Sequence, residues 1–126
     1  MIVDASALVV SLGSAKAART FRGSDLAAPD LLISETLNAF WKLRRARQAT
    51  PDRSLVLALL DSIRIIPSRN HAARAAELAD ELDHPVYDCL YLALAEAEAD
   101  VLITADARLV ARIKDRSLRK RVRILS

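Results

Sequence analysis

Cysteine, histidine, glycine and aromatic residues are all scarce in this chain of 126 residues. One cysteine excludes an internal disulfide, and one cysteine with two histidines leaves no set of thiolate and imidazole ligands for a zinc site. Two glycines exclude the glycine-rich loops that bind dinucleotides or nucleotide phosphates. No serine stands in a GxSxG context, which disfavours serine hydrolase chemistry. Aromatic residues make up only 4% of the chain, so the core must be aliphatic.

Long apolar runs are missing as well. No stretch reaches the length of a membrane span, and the N-terminus lacks a basic region ahead of a hydrophobic one. We therefore expect a soluble, cytoplasmic protein with no membrane partner. The length of the chain predicts a single domain over residues 1–126, large enough to bury about two thirds of the surface of its unfolded form.

Positive charge is concentrated near the end of the chain. The formal net charge is +3, yet residues 108–123 alone carry eight Lys or Arg against one acid. Such a segment suits a polyanionic partner such as nucleic acid, although a solvated helix face is an equally common interpretation. The charge pattern alone does not decide between the two.

Short aliphatic segments alternate with helical ones. The strand candidates are residues 1–3, 25–28, 64–66, 101–103 and 122–125, and amphipathic or alanine-rich helical segments separate them. This alternation in a chain of this size is typical of an α/β fold, with a parallel sheet covered by helices on both faces. In such open sheets, ligands bind at the carboxyl edge of the strands.

Three acids occupy element ends around the most apolar part of the chain. Residues 86–95 are apolar except for Asp88, which predicts a buried helix with an acid at its start. Asp4 and Asp106 each follow a short strand. The alternative is purely structural, with Asp106 and Ser6 as helix caps and Asp88 as a partner of the helix dipole.

Close carboxylates need a neutralising partner. If the strands before Asp4 and Asp106 are neighbours, about 4.8 Å apart, two charges at about 5 Å repel by about 3 kcal/mol at an effective dielectric constant near 20. No Lys or Arg lies within three residues of Asp4 or Asp88. A divalent cation is the simplest neutraliser, and oxygen ligands suit Mg²⁺ or Mn²⁺.

The helix predicted over residues 31–48 has an apolar stripe on one side. The stripe consists of Ile33, Leu37, Phe40, Trp41 and the alkyl stem of Arg44. Glu35 and Asn38 fall on the opposite side, so periodicity alone places them on the surface. His71 and His84 are isolated in the sequence, which favours surface or capping roles for both.

Three segments resemble the PIN-domain ribonucleases, in particular the VapC-type toxins of bacterial toxin–antitoxin pairs. They are IVDASALV at residues 2–9, PDLLISETLNAFWKL from Pro29, and YDCLYLALAEAEADVLITADARL from Tyr87. They occur in the family's order and at its spacing. The resemblance implies a PIN-like three-layer α/β/α sandwich, with a parallel central sheet of four or five strands and the acids at its carboxyl edge.

The resemblance also assigns residues and partners. It implies that Asp4, Glu35, Asp88 and Asp106 are catalytic, that Asp4, Asp88 and Asp106 hold Mg²⁺ or Mn²⁺, and that Ser6, Asn38 and Thr104 support the site or the substrate. The implied activity is metal-dependent hydrolysis of RNA phosphodiesters by an endonuclease, with tRNA or rRNA as the first candidate substrates. The implied protein partners are a cognate VapB-type antitoxin and a second copy of the chain.

Two other functions stay open on the sequence. A phospho-accepting receiver-like domain has a similar size, sheet and use of Mg²⁺, but it needs an acid pair after the first strand and a lysine after a late one. Here Asp4 has no acidic neighbour, and no lysine follows the strand at residues 101–104. A catalytically inert RNA-binding module is the second alternative, and the presence of all four acids argues against it.

Overall fold

A five-stranded parallel sheet forms the middle of the fold. The structure is a computed structural model that describes residues 1–125. The strands are β1 (Ile2–Val3), β2 (Ala27–Pro29), β3 (Arg64–Ile66), β4 (Leu102–Thr104) and β5 (Val122–Ile124). Their order across the sheet is β3-β2-β1-β4-β5, and each neighbouring pair is parallel. The expectation of a parallel sheet with four or five strands is confirmed.

Helices cover both faces of the sheet, which gives the three-layer α/β/α sandwich expected from the sequence. They are α1 (Ala5–Gly13), α2 (Ala15–Ala18), α3 (Leu31–Arg45), α4 (Arg53–Asp61), α5 (Ala72–Leu82), α6 (Val86–Ala97), α7 (Ala107–Arg112) and α8 (Arg116–Arg119). Single turns of 3₁₀ helix occupy Arg19–Phe21 and Ser68–His71. Helix α1 packs on α3, whereas α5 packs on α6, which lies against β1, β2 and β4. None of the helices described is both long and apolar enough to cross a bilayer.

The core is aliphatic and centred on the inner strands. All residues of β1, β2 and β4 are buried, whereas the edge strands β3 and β5 are only partly buried. Helix α6 buries Cys89 and the whole run of residues 91–95, as its apolar sequence predicts. Parallel strands buried on both faces require such continuous apolar runs.

The buried face of α3 differs from the predicted one. The helix buries Leu32, Thr36 and Phe40, whereas Ile33 and Trp41 are 39% and 48% exposed. The observed buried residues and the predicted stripe both recur at helical spacing, so the helical period alone does not distinguish between the two faces. Packing against α1 and β2 selects the first of them.

This rotation changes the position of Glu35. At about 100° per residue, the predicted stripe puts Glu35 opposite the core, whereas the observed stripe puts it about 100° from the centre of the buried face. Glu35 is accordingly half-buried, while Asn38 stays exposed. The surface position that periodicity alone predicts for Glu35 is therefore wrong, and the side chain lines a cavity together with Asp4 and Asp106, as the resemblance implies.

Candidate active site

The carboxyl ends of β1 and β4 meet in the middle of the sheet. Val3 pairs with Ile103, so the residues that follow, Asp4 and Thr104, lie side by side. The chain leaves β1 toward β2 and leaves β4 toward β5, in opposite directions across the sheet. A crevice opens at such a topological switch point, which is where open α/β sheets bind ligands.

Asp4 is buried and accepts hydrogen bonds from three donors. Its Oδ1 accepts from the Ser6 hydroxyl at 2.7 Å and from the backbone N–H of Ala7 at 2.9 Å, and its Oδ2 accepts from the Thr104 hydroxyl. Asp4 is thus the N-cap of α1, and the prediction that Ser6 caps this helix is wrong. Helix α1 can start directly after Asp4, because Asp4 has the extended backbone conformation that an N-cap residue needs.

Ser6 and Thr104 join the two strand ends instead. The Ser6 hydroxyl oxygen accepts from the backbone N–H of Ala105 at 2.9 Å, and the Thr104 hydroxyl oxygen accepts from the N–H of Asp106 at 3.0 Å. Asp106 in turn caps α7, because its Oδ1 accepts from the N–H of Arg108 at 2.9 Å. The Ser6 and Thr104 hydroxyls therefore position Asp4 and Asp106. Neither of these two aspartates is held by a long, flexible side chain.

Tyr91 holds the carboxylate of Glu35. Its hydroxyl donates to Glu35 Oε1 at 2.5 Å, and its ring is fully buried. Tyr91 lies one turn after Asp88 on α6, so both side chains leave the same face of that helix. Tyr91 is not among the site residues predicted from the sequence, although its spacing of three residues from Asp88 in a buried helix indicates a shared face.

His84 contacts Asp88 directly. The His84 Nε2 lies 2.6 Å from Asp88 Oδ2, and the His84 side chain is only 8% exposed. The predicted surface or capping role of His84 is therefore wrong. Because His84 precedes Asp88 by four residues, its imidazole lies over the first turn of α6. The contact between the two side chains depends on the turn between α5 and α6 and not on local periodicity.

The four acids that the sequence analysis selected line one cavity. Asp4, Glu35, Asp88 and Asp106 surround a volume of about 110 Å³ at the carboxyl edge of the sheet. Since a water molecule occupies about 30 Å³ in the liquid, the cavity has room for a cation with part of its hydration shell. Asn38 does not reach this cavity, but it lines the larger groove beside it.

Burial and mutual repulsion raise the pKa of two of the acids. Burial raises the pKa of Asp4 above its ordinary value, against the lowering effect of the Thr104, Ser6 and Ala7 donors, and Asp88 raises it further. Burial likewise raises the pKa of Glu35, against its hydrogen bond from Tyr91, with Asp88 and Asp4 adding to the rise. Within residues 1–125, no Lys or Arg lies within ion-pair distance of Asp4, Glu35 or Asp88. A divalent cation fits this set of oxygen donors, because it supplies the missing positive charge.

Added Mg²⁺ is therefore expected to stabilise the fold more at a pH above the raised pKa values of Asp4 and Glu35 than at a pH in the ordinary carboxyl range. Because the pKa values of Asp4 and Glu35 are raised in the folded state, the metal-free fold loses stability as the pH rises from the ordinary carboxyl range through the raised values. Above that window both groups are ionised, and a cation at ten times its dissociation constant adds about 1.4 kcal/mol. Thermal unfolding with and without Mg²⁺ across this pH range measures the effect.

The variant Glu35→Gln provides the control for this pH dependence. It removes one titrating group of the cavity while keeping an oxygen that can accept from Tyr91. Its metal-free stability should fall less steeply with pH than that of the wild type. An unchanged slope would show that Glu35 ionises in the folded protein as easily as in the unfolded chain.

A wider groove adjoins the acids. It has a volume of about 620 Å³ and runs between α1 and α3, where Val9, Asn38 and Lys42 line it together with Arg108 from α7. Ser6 and Glu35 belong to both this groove and the acidic cavity. A chain-like anion lying in the groove would therefore pass two basic side chains and then reach the carboxylates.

Comparisons with known proteins agree with this architecture. The family model of the PIN domain matches residues 1–115. The structure is similar to that of PAE2754 from Pyrobaculum aerophilum, with a TM-score of 0.69 and 27% identity over 98% of this chain and 87% of that chain. It is also similar in fold to a toxin–antitoxin complex from Klebsiella pneumoniae, with a TM-score of 0.66 and 19% identity over 90% of this chain and 92% of that chain. No curated protein shows a significant match.

Proposed function

This chain belongs to the PIN domain family, and we propose that it is a divalent-metal-dependent endoribonuclease that acts as the toxin of a toxin–antitoxin pair. One observation carries the proposal. Four acids that are spread over 103 positions of the sequence, from Asp4 to Asp106, line a single cavity at the switch point of the sheet. Their positions match those of the acids in the PIN-domain motifs that the sequence resembles, and no Lys or Arg among the described residues lies within ion-pair distance of Asp4, Glu35 or Asp88.

The cation would be held by carboxylate oxygens. Asp4 and Asp88 are its proposed direct ligands, and Asp106 binds it directly or through a water. Oxygen donors from short side chains suit Mg²⁺, with Mn²⁺ as the alternative. When bound, such an ion supplies an activated water and positive charge against a phosphate group.

The protein's own residues prepare this site in three ways. The three donors on Asp4 fix the direction of its carboxylate, so its remaining lone pairs are oriented before any ligand arrives. The Tyr91 hydroxyl fixes Glu35, which we assign to the outer shell, where its carboxylate accepts hydrogen bonds from water. The narrow cavity limits the number of waters around the acids. Such preorganised polar groups lower the cost of rearrangement during the reaction.

RNA is the proposed substrate. The groove beside the acids brings Lys42 and Arg108 next to the cavity, and the segment 108–123 together with Arg44, Arg45 and Arg47 adds further positive charge to the chain. Contacts from such side chains to phosphates supply affinity without base selectivity. Because aromatic residues for base stacking are few, we propose that the enzyme recognises the shape of a structured RNA, such as tRNA or rRNA.

Lys42→Gln is expected to raise the KM for RNA by about three- to tenfold while leaving kcat nearly unchanged. The lysine lines the groove but not the acidic cavity, so its loss weakens phosphate contact without changing the chemistry. The slope of affinity against salt should fall by about 0.7 to 1, the value for one phosphate contact. Lys16→Gln, which removes the same charge from the exposed face of α2, should leave both quantities unchanged. Equal effects of the two variants would contradict a path through the groove.

An antitoxin of the VapB type and a second copy of the chain are the proposed protein partners. Helices α3 and α4 leave the large apolar side chains of Ile33, Trp41, Leu55 and Leu57 exposed, and we propose them as contacts for such a partner. The similar structure from Klebsiella pneumoniae is a toxin–antitoxin complex, and this observation about that protein motivates the proposed antitoxin here.

Cleavage of a panel of tRNA and rRNA by the purified protein tests the proposal. We expect cleavage that requires Mg²⁺ or Mn²⁺, stops with EDTA and is lost in Asp4→Asn. RNA binding that is insensitive to chelator, without cleavage, would instead identify an inert binding module. Labelling by acetyl phosphate would identify a receiver-like function.

A further inference from the structure

Asp88 and Asp106 separate two cavities. On one side they face Asp4 and Glu35 across the volume of about 110 Å³ described above. On the other side they line a cavity of about 380 Å³, whose wall also includes His84, Arg108 and Arg112. Both residues therefore border both cavities.

The second cavity brings a nitrogen ligand to the same two carboxylates. One ligand atom each from His84, Asp88 and Asp106 lies within 4.8 Å of the other two, and no other trio of His, Cys, Asp or Glu in residues 1–125 meets this criterion. Ligands at about 2.1 Å from one ion are about 3 to 4.2 Å apart in octahedral geometry. Small side-chain movements would therefore bring this set around a single ion.

The backbone holds His84 in this place. Helix α5 ends at Leu82, and Asp83 then takes a left-handed conformation with φ of 49°. The N–H of His84 donates to the carbonyl oxygen of Ala79 at 3.2 Å, and Pro85 follows directly as the N-cap of α6. The imidazole is thus fixed at the junction of two packed helices and is more than nine tenths buried.

Each carboxylate keeps an oxygen for a second ligand. Asp106 uses Oδ1 to cap α7, and Asp88 uses Oδ2 toward His84. Binding of a cation would exchange the His84–Asp88 hydrogen bond for two bonds to the ion. The two carboxylates of the set together carry the charge that balances a divalent cation.

We propose that His84, Asp88 and Asp106 form a second divalent-cation position, on the opposite side of the two shared aspartates from Asp4 and Glu35. The imidazole disfavours Mg²⁺ at this position, because Mg²⁺ prefers oxygen ligands, whereas divalent transition-metal ions also accept imidazole nitrogen. The inference rests on the proposed function in that it takes Asp88 and Asp106 to be metal ligands. It adds a histidine ligand and a metal preference to that site.

Pulsed electron paramagnetic resonance of Mn²⁺ bound to the full-length, tag-free chain tests this position. The chain has only two histidines, so His71→Gln leaves His84 as the one imidazole. We expect the ¹⁴N coupling of a directly bound imidazole in the wild type and in His71→Gln, and its loss in His84→Gln. A wild-type spectrum without ¹⁴N coupling, or coupling that persists in His84→Gln, would overturn the proposal.

Calorimetric titrations with Mn²⁺ and with Mg²⁺ give the second measurement. His84→Gln should weaken Mn²⁺ binding by at least about tenfold, and Mg²⁺ binding by much less. Weaker Mn²⁺ binding without ¹⁴N coupling in the wild type would assign His84 to positioning Asp88 and overturn its role as a ligand.

The two proposals fail in different ways. Mg²⁺-dependent RNA cleavage without ¹⁴N coupling would support the nuclease function and overturn the His84 position. Direct ¹⁴N coupling in a protein that cleaves no RNA would support the His84 position and overturn the nuclease function.

Discussion

Asp88→Asn is expected to reduce metal-dependent RNA cleavage by at least about a hundredfold while leaving the fold intact. The change removes the charge of a proposed metal ligand and keeps the volume of the side chain. The amide can still accept from or donate to His84 Nε2, so the junction between α5 and α6 keeps its hydrogen bond. Initial cleavage rates at saturating Mg²⁺, together with circular dichroism and the melting temperature, measure the two effects.

Asp61→Asn is the matched control for this prediction. Asp61 lies at the exposed end of α4, so its replacement makes the same change of charge and volume away from the acidic cavity. Its cleavage rate should equal that of the wild type. If Asp88→Asn also cleaves at the wild-type rate, Asp88 is not a ligand of the catalytic ion.

Asp4→Ala is expected to abolish cleavage and to lower the free energy of unfolding by about 1 to 3 kcal/mol. The substitution removes the N-cap of α1 and leaves the Ser6 and Thr104 hydroxyls without their acceptor. Relief from burying a carboxylate whose pKa is raised offsets part of this loss. Urea unfolding without metal gives the stability, and cleavage of the same RNA gives the activity.

Two further variants separate the structural role of Asp4 from its chemical role. Asp4→Asn keeps an oxygen that can accept from Ala7, so it should lose cleavage with a smaller loss of stability than Asp4→Ala. Ser14→Ala removes the cap of α2 instead, where the Ser14 hydroxyl accepts from Ala17 at 3.3 Å. It should lower stability by about 1 kcal/mol without changing the cleavage rate. Cleavage by Asp4→Asn at the wild-type rate would contradict the assignment of Asp4 as a metal ligand.

Local sequence was sufficient to predict the sheet and two of its acids. Short aliphatic strands between helices predict parallel pairing, and parallel strands place their carboxyl ends at one edge. Asp4 and Asp106 follow such strands directly, so their position at this edge depends on chain direction alone. The resemblance to PIN-domain ribonucleases added Glu35, which helical periodicity had assigned to the surface.

Tertiary packing decided the rest of the site. Two apolar stripes on α3 fit the helical period equally well, and only packing against α1 and β2 turned Glu35 toward Tyr91. His84 reached Asp88 through a left-handed turn at Asp83 that no periodic pattern describes. Side chains far apart in sequence meet according to the free energy of the whole core, to which local propensity contributes only a part.

The sequence by itself therefore determined a parallel α/β fold with an aliphatic core and with acids at the carboxyl ends of its strands. The structure decided which strands are neighbours, that Asp4 rather than Ser6 caps α1, and that His84 lies close to both Asp88 and Asp106. The physical reason is that strand direction and hydrophobic period are local properties of the chain. Strand order and the buried face of a helix, in contrast, follow from contacts between segments as far apart as β1 and β4.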